Sequence, residues 1–188
     1  MLVTSGASLE AQAVLRLARW AGATELYITA PRDHFEVLKK ISAVTVLDED
    51  PEEWLPQLRN RMNVVVDYQY PRNFDSVREA IGKKGRLVCI PSRKKAGEGS
   101  FLSDISSIMD QYQLSLYKRS TMFDFAESFE MNPKELHEDM NFLMKLLSTR
   151  QIRPQADRFI RLKDIPKAQQ QLQTRPLSGS IICEPWKD

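Results

Sequence analysis

The residues with the clearest chemical potential lie near the start of the chain, between a short apolar run and a long amphipathic segment. Gly6, Ser8 and Ala11 follow the apolar residues 2–4 and match the spacing of the GxGxxG pattern, with glycine only at its first position. In such a turn, the N-terminus of the following helix presents free N–H groups to a pyrophosphate. The pattern alone is equally compatible with a purely structural turn glycine.

Other side chains give little support for a metal or nucleophilic centre. The chain has two cysteines, Cys89 and Cys183, and two histidines, His34 and His137. These four residues are too few and too scattered for the usual four-ligand metal sites. Both cysteines lie in apolar runs of the sequence, which is consistent with free thiols in a reducing compartment. No nucleophilic triad or carboxylate pair has suitable spacing. We therefore predict no catalytic side chain and no metal site.

Length and composition indicate one ordinary domain, or a core with a small appendage. The chain has 188 residues, of which 42% are apolar, and its net charge of +2 gives no strong reason to expect nucleic acid or a membrane as partner. No apolar stretch approaches the length of a membrane span, and the N-terminus lacks the basic region of a signal peptide. A cytoplasmic location is therefore expected.

The first half of the chain alternates short apolar runs with helical segments, which is typical of a parallel sheet covered by helices. Strands are predicted at residues 2–4, 25–30, 43–47, 63–67, 86–90 and 113–117. Helices are predicted at residues 9–21, 35–41, 52–61, 73–81 and 102–109. Because the strand runs are continuously apolar, both faces of the sheet should be buried. The sequence thus predicts an α/β fold with a doubly wound, mostly parallel six-stranded sheet of the Rossmann type.

The last part of the chain has a different organisation. Asn132 and Pro133 predict a helix start, because asparagine caps helices and proline favours their first position. The predicted buried stripe of this helix is Leu136, Met140, Leu143 and Leu147. A short strand–helix–strand appendage is then predicted at residues 159–162, 164–173 and 180–184. We divide the chain into a Rossmann-like unit over residues 1–150 and a C-terminal segment over residues 151–188.

The order of these segments resembles the cofactor domain of the medium-chain dehydrogenase/reductase superfamily, particularly its zinc-free quinone oxidoreductases and enoyl reductases. The matching segments are LVTSGASLEAQAVLRLARWAGA at the nucleotide turn, VLKKISAVTVLDED across the third strand, VVVDYQYPRNFDSVREAIGKKGRLVCI across the fourth and fifth, and IRPQADRFIRLKDIPKAQQQLQTRPLSGSIICEP at the end. This resemblance implies binding of NADPH or NADH and hydride transfer to an activated double bond or a quinone.

The resemblance also implies which residues contact the cofactor, with NADP preferred. These are Gly6, Ser8 and Leu9 at the pyrophosphate, Arg32 at the 2′-phosphate, Gln69 at the adenine or ribose, and Pro91 with Ser92 at the nicotinamide. Arg32 lies two residues beyond the second strand, where a basic group suits the 2′-phosphate of NADP and an acid would hold the ribose of NAD. The alternative for Arg32 is a solvated surface arginine.

Several residues depart from the family pattern at the predicted cleft. Ser8 and Leu9 replace glycines that let the backbone approach the pyrophosphate, and Glu10 adds a carboxylate in the first helical turn. Family members also carry an N-terminal catalytic domain, so we expect a missing domain or a partner chain on which residues 151–188 close. Unpaired edge strands would allow self-association.

Two functions follow from these observations. The first is the nucleotide-binding domain of an NAD(P)H-dependent oxidoreductase, incomplete as an enzyme alone. The second is a degenerate, cofactor-free Rossmann module that acts as a binding or scaffolding domain.

Overall fold

Six parallel strands form the central sheet of the chain. The computed structural model describes residues 1–40, 44–90, 112, 114, 116–117, 119–153, 156–172 and 179–186. The strands are β1 (Leu2–Val3), β2 (Leu26–Thr29), β3 (Val44–Leu47), β4 (Met62–Asp67), β5 (Ile81–Cys89) and β6 (Ser120–Met122). Their order is β3-β2-β1-β4-β5-β6, so the predicted Rossmann-type sheet is confirmed. The strand order reverses between β1 and β4, whose carboxyl ends therefore border a crevice.

Helices cover both faces of this sheet, as the continuously apolar strands predict. They are α1 (Leu9–Trp20), α2 (Phe35–Leu38), α3 (Pro51–Leu58), α4 (Phe74–Ala80), α5 (Phe125–Met131), α6 (Pro133–Ser148) and α7 (Ile165–Leu172). One buried cluster joins Trp54 and Val77 of α3 and α4 to Leu87 of β5. The other joins Leu15 of α1 and Leu38 of α2 to β2. The predicted helix at 102–109 lies outside the described residues.

The sixth strand is displaced from its predicted position. It spans Ser120–Met122 and pairs with β5, whereas residues 113–117 were expected to form it. Tyr112 and Leu114 are helical, and the Tyr117 N–H donates to the Leu114 carbonyl at 3.0 Å in a turn. Leu114 is buried in the α3–α4 cluster. A five-residue segment with two leucines does not distinguish a strand from a buried helical turn, which explains the error.

Helix α6 begins where the sequence predicts but buries less than expected. The Asn132 side chain accepts from the Glu135 N–H at 3.3 Å and donates to the Glu135 carboxylate at 2.8 Å, which forms a reciprocal cap. Three residues of the predicted stripe are half-buried, namely Leu136, Leu143 and Leu147. The prediction is wrong for the fourth, because Met140 is 50% exposed and the buried residue of the helix is Leu146. Helix α5, which the sequence analysis missed, has no buried residue.

The C-terminal segment forms a separate two-stranded parallel sheet. Strands β7 (Ala156–Ile160) and β8 (Ser180–Cys183) pair with each other and are connected through α7, which confirms the predicted strand–helix–strand order. Large apolar side chains on this segment are exposed, namely Phe159, Leu162, Ile182 and Trp186. Among the described helices, none has the length and apolar character needed to cross a membrane.

Candidate functional site

The turn between β1 and α1 lies at the point where the strand order reverses. The Gly6 N–H donates to the Thr29 carbonyl at 2.7 Å, which holds the turn against the end of β2. A Cβ on Gly6 would lie 2.6 Å from Ile28 Cγ1 and 3.1 Å from Leu38 Cδ1. The left-handed backbone of the turn belongs to Ser5, with φ of 60°. Glycine is therefore required at position 6 for close approach to the core and not for its dihedral angles.

Ser8 is the N-cap of α1. Its φ of −80° is open to any residue, and its hydroxyl accepts from the Ala11 N–H at 3.0 Å. This bond satisfies one of the N–H groups that a helix N-terminus would otherwise offer to an anion. Leu9 and Glu10 follow on the exposed first turn. The turn thus has the position of a phosphate site, with one of its donors already used by the chain.

The cap predicts a graded effect of substitution at position 8. We expect Ser8→Ala to lower the free energy of unfolding by about 1 kcal/mol and Ser8→Gly by only a few tenths, because glycine is itself an acceptable N-cap. Ser8→Thr, which keeps the hydroxyl, serves as the control. Urea unfolding followed by circular dichroism measures the differences. Equal stability of all four proteins would show that the cap is energetically unimportant.

A buried hydrogen-bonded pair connects the ends of β1 and β4 across the crevice. The Thr4 hydroxyl donates to Asp67 Oδ1 at 2.7 Å and accepts from the Tyr68 N–H at 2.8 Å. Asp67 Oδ1 also accepts from the Gln69 N–H at 2.9 Å. Both side chains are almost completely buried. This network fixes the two turns that border the crevice, and the sequence analysis did not identify either residue.

The interior beneath the crevice disfavours negative charge. Burial raises the pKa of Asp67, against the opposing effects of its bonds from Gln69 and Thr4. Asp67 Oδ2 is buried without a hydrogen-bond partner. Burial, together with the Asp67 carboxylate, raises the pKa of Cys89 to about 12. Cys89 is therefore a neutral core thiol, in agreement with the prediction that it is not a nucleophile.

Arg32 follows β2 as expected, but an acidic side chain holds it. Its Nε donates to Asp48 Oδ2 at 2.6 Å, and its terminal nitrogen is 4.0 Å from Glu53. The hydrogen bond from Arg32 lowers the pKa of Asp48 below its ordinary value. The Arg32 side chain is 77% exposed, so the pair lies in solvent and is weak. A phosphate at this position would compete with Asp48 for the guanidinium.

A cavity of about 370 Å³ lies beside this ion pair, at the carboxyl end of β3. Phe35, Leu47 and Trp54 form its apolar walls, and Arg32 and Asp48 lie at its polar side. Trp54 is buried, and its indole Nε1 has no hydrogen-bond partner. Trp54 belongs to the buried α3–α4 cluster and its Nε1 atom is closed to solvent, so its ring supplies an apolar wall and no donor to the cavity. The cavity can therefore take a largely apolar group whose polar edge lies toward Arg32 and Asp48.

The structure brings most of the predicted cofactor residues to one end of the sheet. Gly6, Ser8 and Leu9 follow β1, Arg32 follows β2 and Gln69 follows β4, where its side-chain amide is 3.4 Å from Glu49. Pro91 and Ser92 lie outside the described residues. Sequence reasoning missed Thr4, Asp67 and Asp48. For Asp67 a signal existed, since a single acid ends the otherwise apolar run VVVD.

Metal chemistry has no support in the described part of the chain. No group of three or more histidine, cysteine, aspartate or glutamate side chains is placed to hold a metal ion there. The two cysteines are free, and Cys89 is buried.

Comparison with known proteins identifies one family. The sequence model of the zinc-binding dehydrogenases matches residues 41–182, which is most of the chain. No curated protein matches the chain significantly in sequence.

Solved structures with the same fold are about twice as long as this chain. The JamJ enoyl reductase superposes with a TM-score of 0.71 at 17% identity, over 97% of this chain and 54% of its own. A Mesorhizobium loti protein assigned as an NADPH:quinone reductase gives 0.65 at 18% identity, over 98% and 52%. The quinone oxidoreductase of Coxiella burnetii gives 0.62 at 18% identity, over 97% and 51%. The chain thus spans about half the length of these similar proteins.

Proposed function

Because the chain belongs to the zinc-binding dehydrogenase family of the medium-chain dehydrogenase/reductase superfamily, we propose that it is the nucleotide-binding part of an NAD(P)H-dependent oxidoreductase. The observation that carries this proposal is the β1–α1 turn at the reversal of strand order, with Gly6 packed on β2 and the N-terminus of α1 above the crevice. The substrate class would be quinones or activated double bonds, as the names of the similar proteins indicate.

In this proposal the chain's own residues bind and orient the cofactor. The N–H groups at the start of α1, beside Ser8 and Leu9, would hold the pyrophosphate. The cavity beside Trp54 fits the adenosine end, because its apolar walls lie next to the polar side chains of Asp48 and Gln57. Gln69, held near Glu49 at the end of β4, would contact the ribose. The bound nicotinamide would supply the hydride, so this chain needs no acid or base of its own.

A preference for NADP depends on whether Arg32, which is paired with Asp48, can also donate to a 2′-phosphate. The guanidinium uses its Nε donor on Asp48, 2.6 Å away, so a 2′-phosphate would bind the remaining N–H groups against repulsion from the Asp48 carboxylate. We expect Asp48→Asn to strengthen NADPH binding and leave NADH binding nearly unchanged, whereas Arg32→Ala should weaken NADPH selectively. Fluorescence titration with both cofactors measures the four affinities. Equal responses to NADPH and NADH in both variants would assign Arg32 to the surface instead.

Cofactor binding itself is tested by titrating the purified chain with NADPH and NADH while following its thermal unfolding. Ligand at 100 times its dissociation constant should add about 2.7 kcal/mol of stability. Ser8→Gly should bind more tightly than the natural chain, because it releases the Ala11 N–H. The absence of any shift at millimolar cofactor contradicts the proposal for this chain.

The second candidate function is a cofactor-free binding module. It is favoured by three observations at the crevice: the Ser8 hydroxyl bonds the Ala11 N–H, Glu10 adds negative charge, and Asp48 holds Arg32. The same titration separates the two functions, since this module would show no response even in the Ser8→Gly variant.

Completion of the enzyme requires a further catalytic part, in the same polypeptide or in a partner chain. We propose that residues 151–188 contact it, because a two-stranded sheet is marginal alone and β7 and β8 expose Phe159 and Ile182. The similar proteins have about twice the length to supply such a part. Self-association through the outer strands and a cytoplasmic location stay predictions.

A further inference from the structure

Charge is segregated between the two ends of the sheet. At the carboxyl end of β3 and the start of α3 lie acidic side chains, namely Asp48, Glu49, Asp50, Glu52 and Glu53. At the opposite end, where β4, β5 and β6 begin, lie exposed basic side chains that we call the basic edge, namely Arg61, Lys83, Lys84, Arg86 and Arg119. The net charge of +2 conceals this separation.

The two lysines of the basic edge are presented by an irregularity in β5. Ile81 pairs with Met62, but the next pair joins Arg86 to Val64, so β5 carries extra residues against β4. Gly82 and Gly85 flank the lysines, and a Cβ on Gly85 would lie 2.4 Å from the Met62 carbonyl. The glycines let the backbone fold tightly against β4 while Lys83 and Lys84 extend into solvent.

Hydrogen bonds to backbone carbonyls fix two of the arginines, Arg119 beside the lysines and Arg61 at the end of α3. The Arg119 guanidinium donates to the Lys83 carbonyl, and the Leu87 N–H donates to the Arg119 carbonyl at 3.0 Å. Arg61 donates to the Gln57 carbonyl at the end of α3 at 3.0 Å. The neighbouring carboxylate of Glu79 is already paired with Arg59 at 2.8 Å. Arg119 is therefore held beside the two lysines, and the nearby acid is already paired.

The basic edge curves around the sheet. Arg61 reaches α3, which packs on one face, while Arg86 alternates with Leu87 and so lies on the opposite face, with Val88. A flat membrane surface cannot contact both faces at once, but a flexible anionic chain can. Three of the five cations are arginines, whose planar guanidinium binds phosphate oxygens in pairs.

We propose that the basic edge binds the phosphate backbone of single-stranded nucleic acid, at the end of the sheet opposite the cofactor crevice. This departs from the expectation drawn from net charge, which averages over both ends of the molecule. Recognition would be electrostatic and independent of base sequence, because the members of the edge are all cations and include no aromatic stacking residue.

The test uses the purified chain and a fluorescently labelled oligouridylate of about 12 nucleotides, a length within the range of single-strand binding sites. With about four phosphate contacts, the logarithm of the binding constant should fall with the logarithm of salt concentration with a slope of about −3. Millimolar NADPH should not displace the RNA, because the two sites lie at opposite ends of the sheet. Displacement by NADPH would place the RNA in the crevice and overturn the proposal.

The chain supplies a matched control for mutation of the basic edge. Lys83→Glu with Lys84→Glu should weaken RNA binding by about tenfold or more, since it replaces two attractions with two repulsions. Lys39→Glu with Lys40→Glu makes the same change in net charge on another exposed lysine pair and should have a much smaller effect. Equal losses in both proteins would mean that only net charge matters and would refute a localised site.

Two further measurements test whether the lysine charges attract the RNA and whether the site prefers nucleic acid to other anions. Lys83→Gln with Lys84→Gln, checked by thermal unfolding, removes the charges without adding repulsion and should also weaken binding. Competition with polyglutamate and with vesicles of anionic phospholipid should be weaker than competition with unlabelled RNA. Stronger competition by polyglutamate or vesicles, or no RNA binding by the natural chain at low salt, contradicts the proposal. A cofactor response without RNA binding would leave the proposed oxidoreductase function intact.

Discussion

Replacing Thr4 with valine is expected to lower the free energy of unfolding by about 2–4 kcal/mol. The two side chains have nearly the same shape, so the loss comes from hydrogen bonds and not from packing. Valine removes the donor to Asp67 Oδ1 and the acceptor of the Tyr68 N–H. The buried carboxylate, already without a partner at Oδ2, would retain fewer donors. Urea unfolding at neutral pH measures the change.

The penalty of Thr4→Val should depend on pH. Burial raises the pKa of Asp67 in the folded chain. The hydrogen bond from Thr4 opposes this shift because it stabilises the charged carboxylate, and Thr4→Val removes that stabilisation. The substitution therefore costs most where Asp67 is ionised, and the cost should shrink as pH falls through the pKa of Asp67 in the folded chain. Thr45→Val, on the exposed face of β3, is the control and should change stability by less than about 0.5 kcal/mol. A similar small effect at Thr4 would show that the pair does not stabilise the crevice.

Replacing Gly6 with alanine is expected to lower the free energy of unfolding by about 1–3 kcal/mol, as overpacking of a core usually does. The new Cβ would lie 2.6 Å from Ile28 Cγ1 and 2.7 Å from Ile28 Cδ1, in a fully buried part of the sheet. Backbone dihedral strain does not contribute, since Ser5 and not Gly6 has the left-handed conformation. The effect should thus depend entirely on neighbouring side chains.

A double-mutant cycle tests this cause. Ile28→Ala alone should destabilise by about 2–5 kcal/mol through its cavity, but combined with Gly6→Ala it offers space for the new methyl group. We expect the double variant to be more stable than the sum of the two single effects implies. Strict additivity would mean that position 6 needs glycine for a reason other than contact with Ile28.

The fold was largely predictable because its signals are local and repeated. Each of the first five strands is an apolar run beside a helical segment, and burial of both sheet faces follows from that pattern. The cap at Asn132 was readable because it depends on neighbouring residues. The sixth strand was misplaced because residues 113–117, QLSLY, carry two leucines at strand spacing, whereas Leu114 packs in a helical turn. The local sequence does not indicate which helix or strand packs against such a short segment.

The candidate site was predictable in position but not in chemistry. The order of strands places residues 6–9, Arg32 and Gln69 at one end of the sheet, as the pattern indicated. The hydrogen bonds that these residues form could not be predicted from the sequence. The Ser8 hydroxyl bonds within the first turn of its own helix, and Arg32 bonds Asp48, sixteen residues away and just beyond the end of β3. Such pairings depend on the distance and direction of side chains across neighbouring strands.

By itself, the sequence determined the parallel sheet, the position of the crevice and the glycine turn, because periodicity and turn residues act over a few neighbouring positions. Only the tertiary structure showed that Thr4 and Asp67 join the ends of β1 and β4, and that Trp54 lines a cavity beside Arg32. Only the tertiary structure showed that the acidic side chains beside β3 and the basic edge lie at opposite ends of the sheet. These features bring together residues that are distant along the chain, and their energies depend on burial and short distances that only the folded state creates.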